Sequence, residues 1–269
     1  MALDEDRATR LCSCTSASLM TVTGCARAPN GKGRMTAMLK GAGMLSLWNG
    51  VDPGRRGEYD LWHTRQHVPE RLAIPGMLRA RRYHRGEGPL PEFLTLYELE
   101  NNGVLDSASY RALLQNPTAW SRSMRPSFRG FFRVGHLVRL SRGGGVGGAL
   151  MASVFANAAA PQGGWEAVTE LVLQKTAATA IHVLTKDPAV APVPFSVPPS
   201  EGGSYADGAA LMVECHGRDR LADIAGVLDA ALDAHGLAQG REAWTHYDLA
   251  YALDRDELDS VVSLSGMPG

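Results

Sequence analysis

From residue 44 onward, apolar and polar positions follow two periods, one of two residues and one near 3.6, the repeats of strands and helices. The alternating run 44–51 (MLSLWNGV) predicts a strand. Residues 57–74 predict a helix, kinked at Pro69 because proline removes a backbone donor. Strands are expected over 77–85 (MLRARRYHR) and 93–100 (FLTLYELE), around the Gly-Pro-rich turn 86–91. A helix over 105–114, a short helical continuation over 117–124 and a long strand over 127–140 follow. The order is strand, helix, strand, strand, helix, strand.

The glycine run 143–148 reads as a flexible linker, and after it the same order returns. Strands are expected over 150–157, 178–185, 209–216 and 244–253, with a Pro-rich loop over 188–208. Helices are expected over 165–176 and 221–235, the second with Leu221, Ile224, Leu228 and Leu232 on one stripe. This β-α-β-β-α-β order is that of the ferredoxin-like unit, which packs two helices on one face of a four-stranded antiparallel sheet. The strands carry large apolar residues on both sides, so the other face needs cover as well. The expected fold class is therefore α+β: two tandem ferredoxin-like units, 44–142 and 149–258, pairing sheet to sheet as a pseudo-dimeric α+β barrel. The helix 165–176 contains no histidine, which suits one active repeat and one diverged, silent repeat. Residues 1–43 are rich in Ser, Thr, Gly and Ala and read as a disordered extension or the product of a start codon set too far upstream, and 259–269 as a tail.

Composition narrows the function classes. A formal net charge of −1, from 27 basic and 28 acidic residues, gives no global pull toward nucleic acid or a membrane. Arginines are nevertheless frequent between Arg65 and Arg142, which suits an anionic or carbonyl-bearing ligand or a solvated arginine-rich surface. Cys12, Cys14, Cys25 and Cys215 do not form a disulfide framework, Cys12-Ser-Cys14 is a weak metal signal, and no metal site is expected. No apolar run approaches the roughly 20 residues that span a bilayer, and the acidic start (MALDED) is unlike a signal peptide, so a cytoplasmic location is expected. HExxH, P-loop, Rossmann, GxSxG and CxxC signatures are missing from the sequence, and 143–148 lacks the Lys-Ser/Thr of a phosphate loop.

The densest chemistry lies in 58–76, EYDLWHTRQHVPERLAIPG. Tyr59, Trp62, His67, Pro69, Glu70 and Arg71, then Ile74-Pro75-Gly76, Arg81-Arg82-Tyr83 and Leu96-Tyr97-Glu98, follow a recognisable pattern. It is a helix with a late His-(Ile/Val)-Pro-Glu-Arg, an Ile-Pro-Gly turn and an Arg-Tyr strand. Residues 44–140 thereby resemble a unit of the dimeric α+β barrel superfamily, and within it the EthD-like group. The resemblance implies the barrel but not one chemistry, since such barrels include cofactor-free monooxygenases, cyclases, decarboxylases, lactone isomerases and haem enzymes.

Histidines four apart lie on one side of a helical turn, so His63 and His67 can act on one small volume, or form an ordinary solvated face. On an ideal wheel Leu61, Val68 and Leu72 form the buried stripe and both histidines fall away from it. His67 is the first candidate for general acid or base, His63 the second, and Tyr59 a hydrogen-bond donor to a substrate oxygen. Trp62 and Trp48 are core residues or the aromatic walls of a pocket. Arg71, Arg82, Tyr83, Tyr97, Arg133 and His136 are candidates to contact substrate. An arginine turned inward from the strand 77–85 needs a carboxylate, and Glu98 on the next strand is the nearest candidate. Trp244, His246 and Asp248 share a strand face and could hold a His-Asp dyad.

These tools suit a cofactor-independent lyase, decarboxylase or isomerase acting on a small oxygenated, partly apolar and possibly aromatic compound. A cofactor-free monooxygenase is the near variant, and a haem- or ligand-binding barrel or a purely structural protein the alternatives. The expected partner is a small-molecule substrate, with no nucleic acid or membrane, in a monomer with an internal pseudo-dimer or a homodimer.

Overall fold

A computed structural model describes residues 39–86, 91–155, 163–191 and 209–260. The strands are β1 (Gly43–Val51), β2 (Met77–His84), β3 (Phe93–Leu99), β4 (Phe128–Gly143), β5 (Ala149–Phe155), β6 (Ala178–Lys186), β7 (Ala209–Cys215) and β8 (Thr245–Asp254). The helices are α1 (Arg56–Trp62), α2 (Val68–Leu72), α3 (Ala108–Gln115), α4 (Ala119–Met124), α5 (Trp165–Lys175) and α6 (Leu221–Ala234). A π-helical turn, His63–His67, joins α1 to α2. Most of the expected N-terminal extension, with Cys12, Cys14 and Cys25, lies outside the described residues, as do the tip of the turn 86–91, most of the loop 188–208 and most of the tail.

All eight strands pair antiparallel and close a barrel in the order β1-β3-β2-β8-β5-β7-β6-β4. Because strand side chains alternate, each strand feeds two cores. Met44, Trp48, Tyr83, Leu94, Leu96, Phe132 and Val134 pack inside the barrel with Leu150, Ala152, Val154, Met212 and Tyr247 of the later strands. Trp48 stacks on Phe132 at 4.8 Å between ring centroids. Leu39 is buried in the same cluster, ahead of the first strand.

The opposite strand faces meet the helices. In the second half this space is filled by aliphatic side chains: Val168 and Val172 of α5 and Ile224, Leu228 and Leu232 of α6 lie on Ile181, Val183, Leu211 and Val213. In the first half the filling is split into two smaller clusters, one around Val68, Leu72, Tyr97 and Tyr110 and one around Tyr59, Trp62, Phe93 and Met124. The cavity described below opens beside them.

Charged residues also enter the barrel. Arg81 (1% exposed) is paired with Glu214, and its Nε lies 3.1 Å from Glu98. Arg79 grips Glu98 with Nε at 2.7 Å and Nη2 at 3.0 Å. The backbone N–H of Lys40 donates to Glu98 and that of Gly147 to Glu214, each at 2.8 Å. His182 Nε2 lies 3.0 Å from Glu214, and its Nδ1 is bonded to Ser141 at 2.9 Å. Burial alone would raise the Glu214 carboxyl, but Arg81 and these hydrogen bonds hold it at about 2. This network joins β2 and β3 by side chains to β4, β6 and β7, strands with which neither is paired.

Candidate functional site

The helical segment facing β1 and β3 departs from the expected geometry, and the departure builds the site. The irregularity sits at His63–His67, ahead of Pro69 and not at it. Proline lacks an N–H and its ring crowds the carbonyl four residues back, so a regular helix would fail at Arg65. The widened turn absorbs this: the N–H of Val68 donates to the carbonyl of His63, five residues earlier. Pro69 then stands in the first turn of α2, where no donor is needed. The extra residue in the turn also rotates the wheel. Leu61, expected on the buried stripe, is 47% exposed, whereas His63, expected away from it, is 3% exposed.

The result is a cavity of about 480 Å³ between this segment, α3, α4 and the helix-facing side of β1, β3 and β4. Leu45, Leu47 and Asn49 come from β1, Thr95 and Tyr97 from β3, and Phe131 and Arg133 from β4, all at alternate positions as register requires. Tyr59, Trp62, His63, His67, Glu70 and Arg71 line the helical side, and Tyr110, Ser121, Arg125 and Phe128 are also in the lining. Short tethers fix the aromatic walls. Trp62 Nε1 donates to Ser121 Oγ at 3.2 Å, and Tyr59 OH to Asn49 Oδ1 at 3.3 Å.

Tyr59, Trp62, His63 and His67 form one aromatic cluster, with the His67 ring 4.3 Å from Trp62 and 5.3 Å from His63. His63 Nε2 lies 3.4 Å from Thr95 Oγ1, and the Nδ1 atoms of both histidines are buried without a hydrogen-bond partner. Burial holds both imidazoles well below their ordinary pKa of 6.5; Arg82 and Arg71 add to this at His63, and Arg71, His63 and Arg125 at His67. Both are neutral at pH 7. Burial pushes the Tyr59 phenol up to about 12, against the pull of Arg82. Glu70 is raised by burial, partly offset by Arg71 and Gln66. Arg133 Nη1 donates to Tyr110 OH at 2.6 Å. With Arg71, Arg125 and Arg133 against Glu70, the charged side chains of the wall are predominantly positive.

Of the residues singled out in the sequence, Tyr59, Trp62, His63, His67, Arg71, Tyr97 and Arg133 line this one cavity. Three do not. Arg82 lies behind Tyr59, its guanidinium over the Tyr59 and Phe93 rings, with Nη2 on Asp60 at 2.8 Å, so it is committed to α1. Tyr83 and His136 fall on the interior face by strand alternation. Tyr83 OH accepts from Arg81 at 2.9 Å, and His136 Nδ1 is bonded to Ser46 at 3.1 Å. In β8, Asp248 faces Arg218 at 3.4 Å, and the backbone carbonyl of His246 accepts from the same arginine. Asn49, Thr95, Tyr110 and Arg125 were not singled out, and Glu70 only as part of the family pattern. The alternation of β1 and β3 carried the signal for Asn49 and Thr95. Tyr110 lies in α3, within the helix expected over 105–114, whereas Arg125 comes from the 3₁₀ turn after α4, which periodicity does not place.

No family model matches the sequence, and no curated protein is detectably similar to it. Solved structures are. The chain is similar to an anthrone oxidase-like protein with a TM-score of 0.53, over 80% of this chain and 94% of that one, at 12% identity. The likeness is one of fold. A candidate monooxygenase from Lactobacillus acidophilus NCFM matches with TM-score 0.49, 6% identity and coverage of 80% and 97%. A haem-binding protein from Thermus thermophilus matches with TM-score 0.48, 12% identity and coverage of 86% and 100%. Among the described residues no helix is long and apolar enough to cross a membrane.

Proposed function

We propose that the chain is a cofactor-free oxygenase acting on a partly apolar, aromatic compound whose C–H bond is acidified by a neighbouring carbonyl. The observation that carries this reading is one cavity holding two neutral, buried imidazoles, aromatic walls and an excess of guanidinium. His67 takes the acidic C–H proton, and a guanidinium of the wall, such as Arg133 steadied by Tyr110, holds the enolate oxygen that forms. The enolate passes an electron to dioxygen and the pair combines into a C–OO bond. Loss of the second C–H proton with cleavage of the O–O bond leaves C=O and water. For a CH₂ group the balance is CH₂ + O₂ → C=O + H₂O, with the substrate as the reductant. The depressed pKa keeps His67 unprotonated at neutral pH and makes its conjugate acid a ready proton donor to the peroxide.

The same tools would serve the lyase, decarboxylase or isomerase expected from the sequence, and dependence on oxygen separates the two. A haem-binding barrel is the other alternative: His63 Nε2 lies on Thr95 and leaves its Nδ1 without a partner, and a Soret band in the purified protein would favour an iron-ligating imidazole over the cofactor-free reading. The EthD-like kinship belongs to the same proposal, supported by the His67-Val68-Pro69-Glu70-Arg71 run, from which His67, Glu70 and Arg71 line the cavity. So does the tandem ferredoxin-like reading, supported by the element order repeating on either side of residue 144 and by the strand orders β4-β1-β3-β2 and β8-β5-β7-β6 around the barrel. The test is oxygen uptake with anthrone as probe substrate, without added metal or flavin. We expect uptake above the uncatalysed rate, falling about 10²-fold or more in His67→Ala. Turnover that proceeds equally without oxygen would favour the lyase reading, and equal rates in both proteins would remove His67 from the chemistry.

A further inference from the structure

Arg71 is held in the cavity wall without a fitted counter-charge. Its side chain is 12% exposed, and its nearest carboxylate among the described residues is Glu70 at 3.9 Å, beyond hydrogen-bond reach. A guanidinium taken this far out of water is unfavourable unless an anion completes it. Two neighbours share this stretch of wall. Tyr97, 1% exposed, lines the same wall with its hydroxyl buried and unpartnered, and the Arg71 charge opposes the rise that burial imposes on its phenol. Arg125 lines the cavity as well, its charged form disfavoured first by burial and then by Arg71. Glu70 meets this charge only from 3.9 Å, and burial raises its carboxyl against the pull of Arg71 and Gln66.

We propose that Arg71, Tyr97 and Arg125 form a carboxylate subsite, so that the substrate is an aromatic acid whose carboxylate is gripped by Arg71, donated to by the Tyr97 hydroxyl and flanked by Arg125. Trp62, Phe128 and the histidines then contact the ring system. A guanidinium fork matches a carboxylate in a way that a neutral ketone or ester cannot exploit. The inference rests on the oxygenase reading for the reacting end of the molecule and adds the chemical class of the far end.

The test is equilibrium binding of anthraquinone-2-carboxylate and its methyl ester, neither of which carries the CH₂ that turnover needs, followed by intrinsic tryptophan fluorescence. The wild-type protein binds the acid about tenfold or more tighter than the ester. In Arg71→Met the acid loses this advantage while the ester binds as before. Arg125→Met reads the same preference with a smaller loss, and serves alone if Arg71→Met does not fold. Equal affinities in the wild type, no binding of either compound, or a preference that survives in the folded variants would each overturn the subsite. Oxygen uptake plays no part in this readout. A failed subsite therefore leaves the base at His67 standing, and a protein that binds the acid but consumes no oxygen with anthrone keeps the subsite and loses the oxygenase reading.

Discussion

Replacing Glu214 by glutamine tests whether the buried charge network ties the two halves of the barrel together. Glutamine keeps the volume and an acceptor for the Gly147 N–H, but removes the charge that faces Arg81 and His182. Arg81 is then left with Glu98 alone, which Arg79 already grips. Holding the carboxyl at about 2 against an ordinary 4.5 corresponds to stabilisation on the order of 3 kcal/mol. Breaking one partner from a buried ion pair costs about 3–5 kcal/mol, so the two arguments agree. We expect Glu214→Gln to lose this much at pH 7 in guanidinium denaturation followed by tryptophan fluorescence. The folded-state pKa is depressed, so the contribution is complete above about pH 4.5 and is lost as pH falls toward 2; the gap between wild type and variant narrows across that window. In a double-mutant cycle with Arg81→Met, the pair should cost less than the sum of the single changes. A loss below about 1 kcal/mol, or strict additivity, would refute the network as a stabilising link.

Other consequences follow from the same geometry. His63 and His67 are neutral and depressed, so the acid limb of kcat/KM with anthrone should lie well below pH 6.5, with a flat profile from about 6.5 to 8; a limb centred on 6.5 would mean an exposed histidine is the base. These two histidines and His136, pushed down to about 3 by burial and Lys186, bind protons more readily in the unfolded chain. Stability is therefore complete above pH 6.5 and is lost as pH falls below it, which thermal melts across pH 7 to 5 would show. Gly76 has φ +86°, and a Cβ there would overlap Val104 Cγ2, so Gly76→Ala should cost at least about 1–2 kcal/mol by chemical denaturation.

The sequence announced the element order because each strand and helix carries its own period, and the glycine run near residue 144 separates two similar sets. What it withheld was the facing of the helical segment 56–72. Spacing placed His63 and His67 off the buried stripe, and only the π turn, a response to Pro69 a few residues on, turns His63 inward and Leu61 out. A wheel assumes a uniform twist and cannot register one added residue. Arg82 and Tyr83 were drawn toward the site by the family pattern and His136 by residue type; alternation assigns Tyr83 and His136 to the barrel interior, and Asp60 claims Arg82. The arginine-rich stretch was ambiguous for a similar reason. Charge can be counted along a chain, but whether Arg81 meets Glu214, from the other half, depends on barrel closure.

The central claim is that a base in this cavity lets dioxygen react directly with a bound aromatic substrate. Incubating the protein and His67→Ala with anthrone under heavy-oxygen-labelled dioxygen, and weighing the product by mass spectrometry, addresses it most directly. The account predicts one labelled atom in the new carbonyl group, formed far faster by the wild type than by the variant. An unlabelled product, or labelled product formed at the same rate by both proteins, would contradict it.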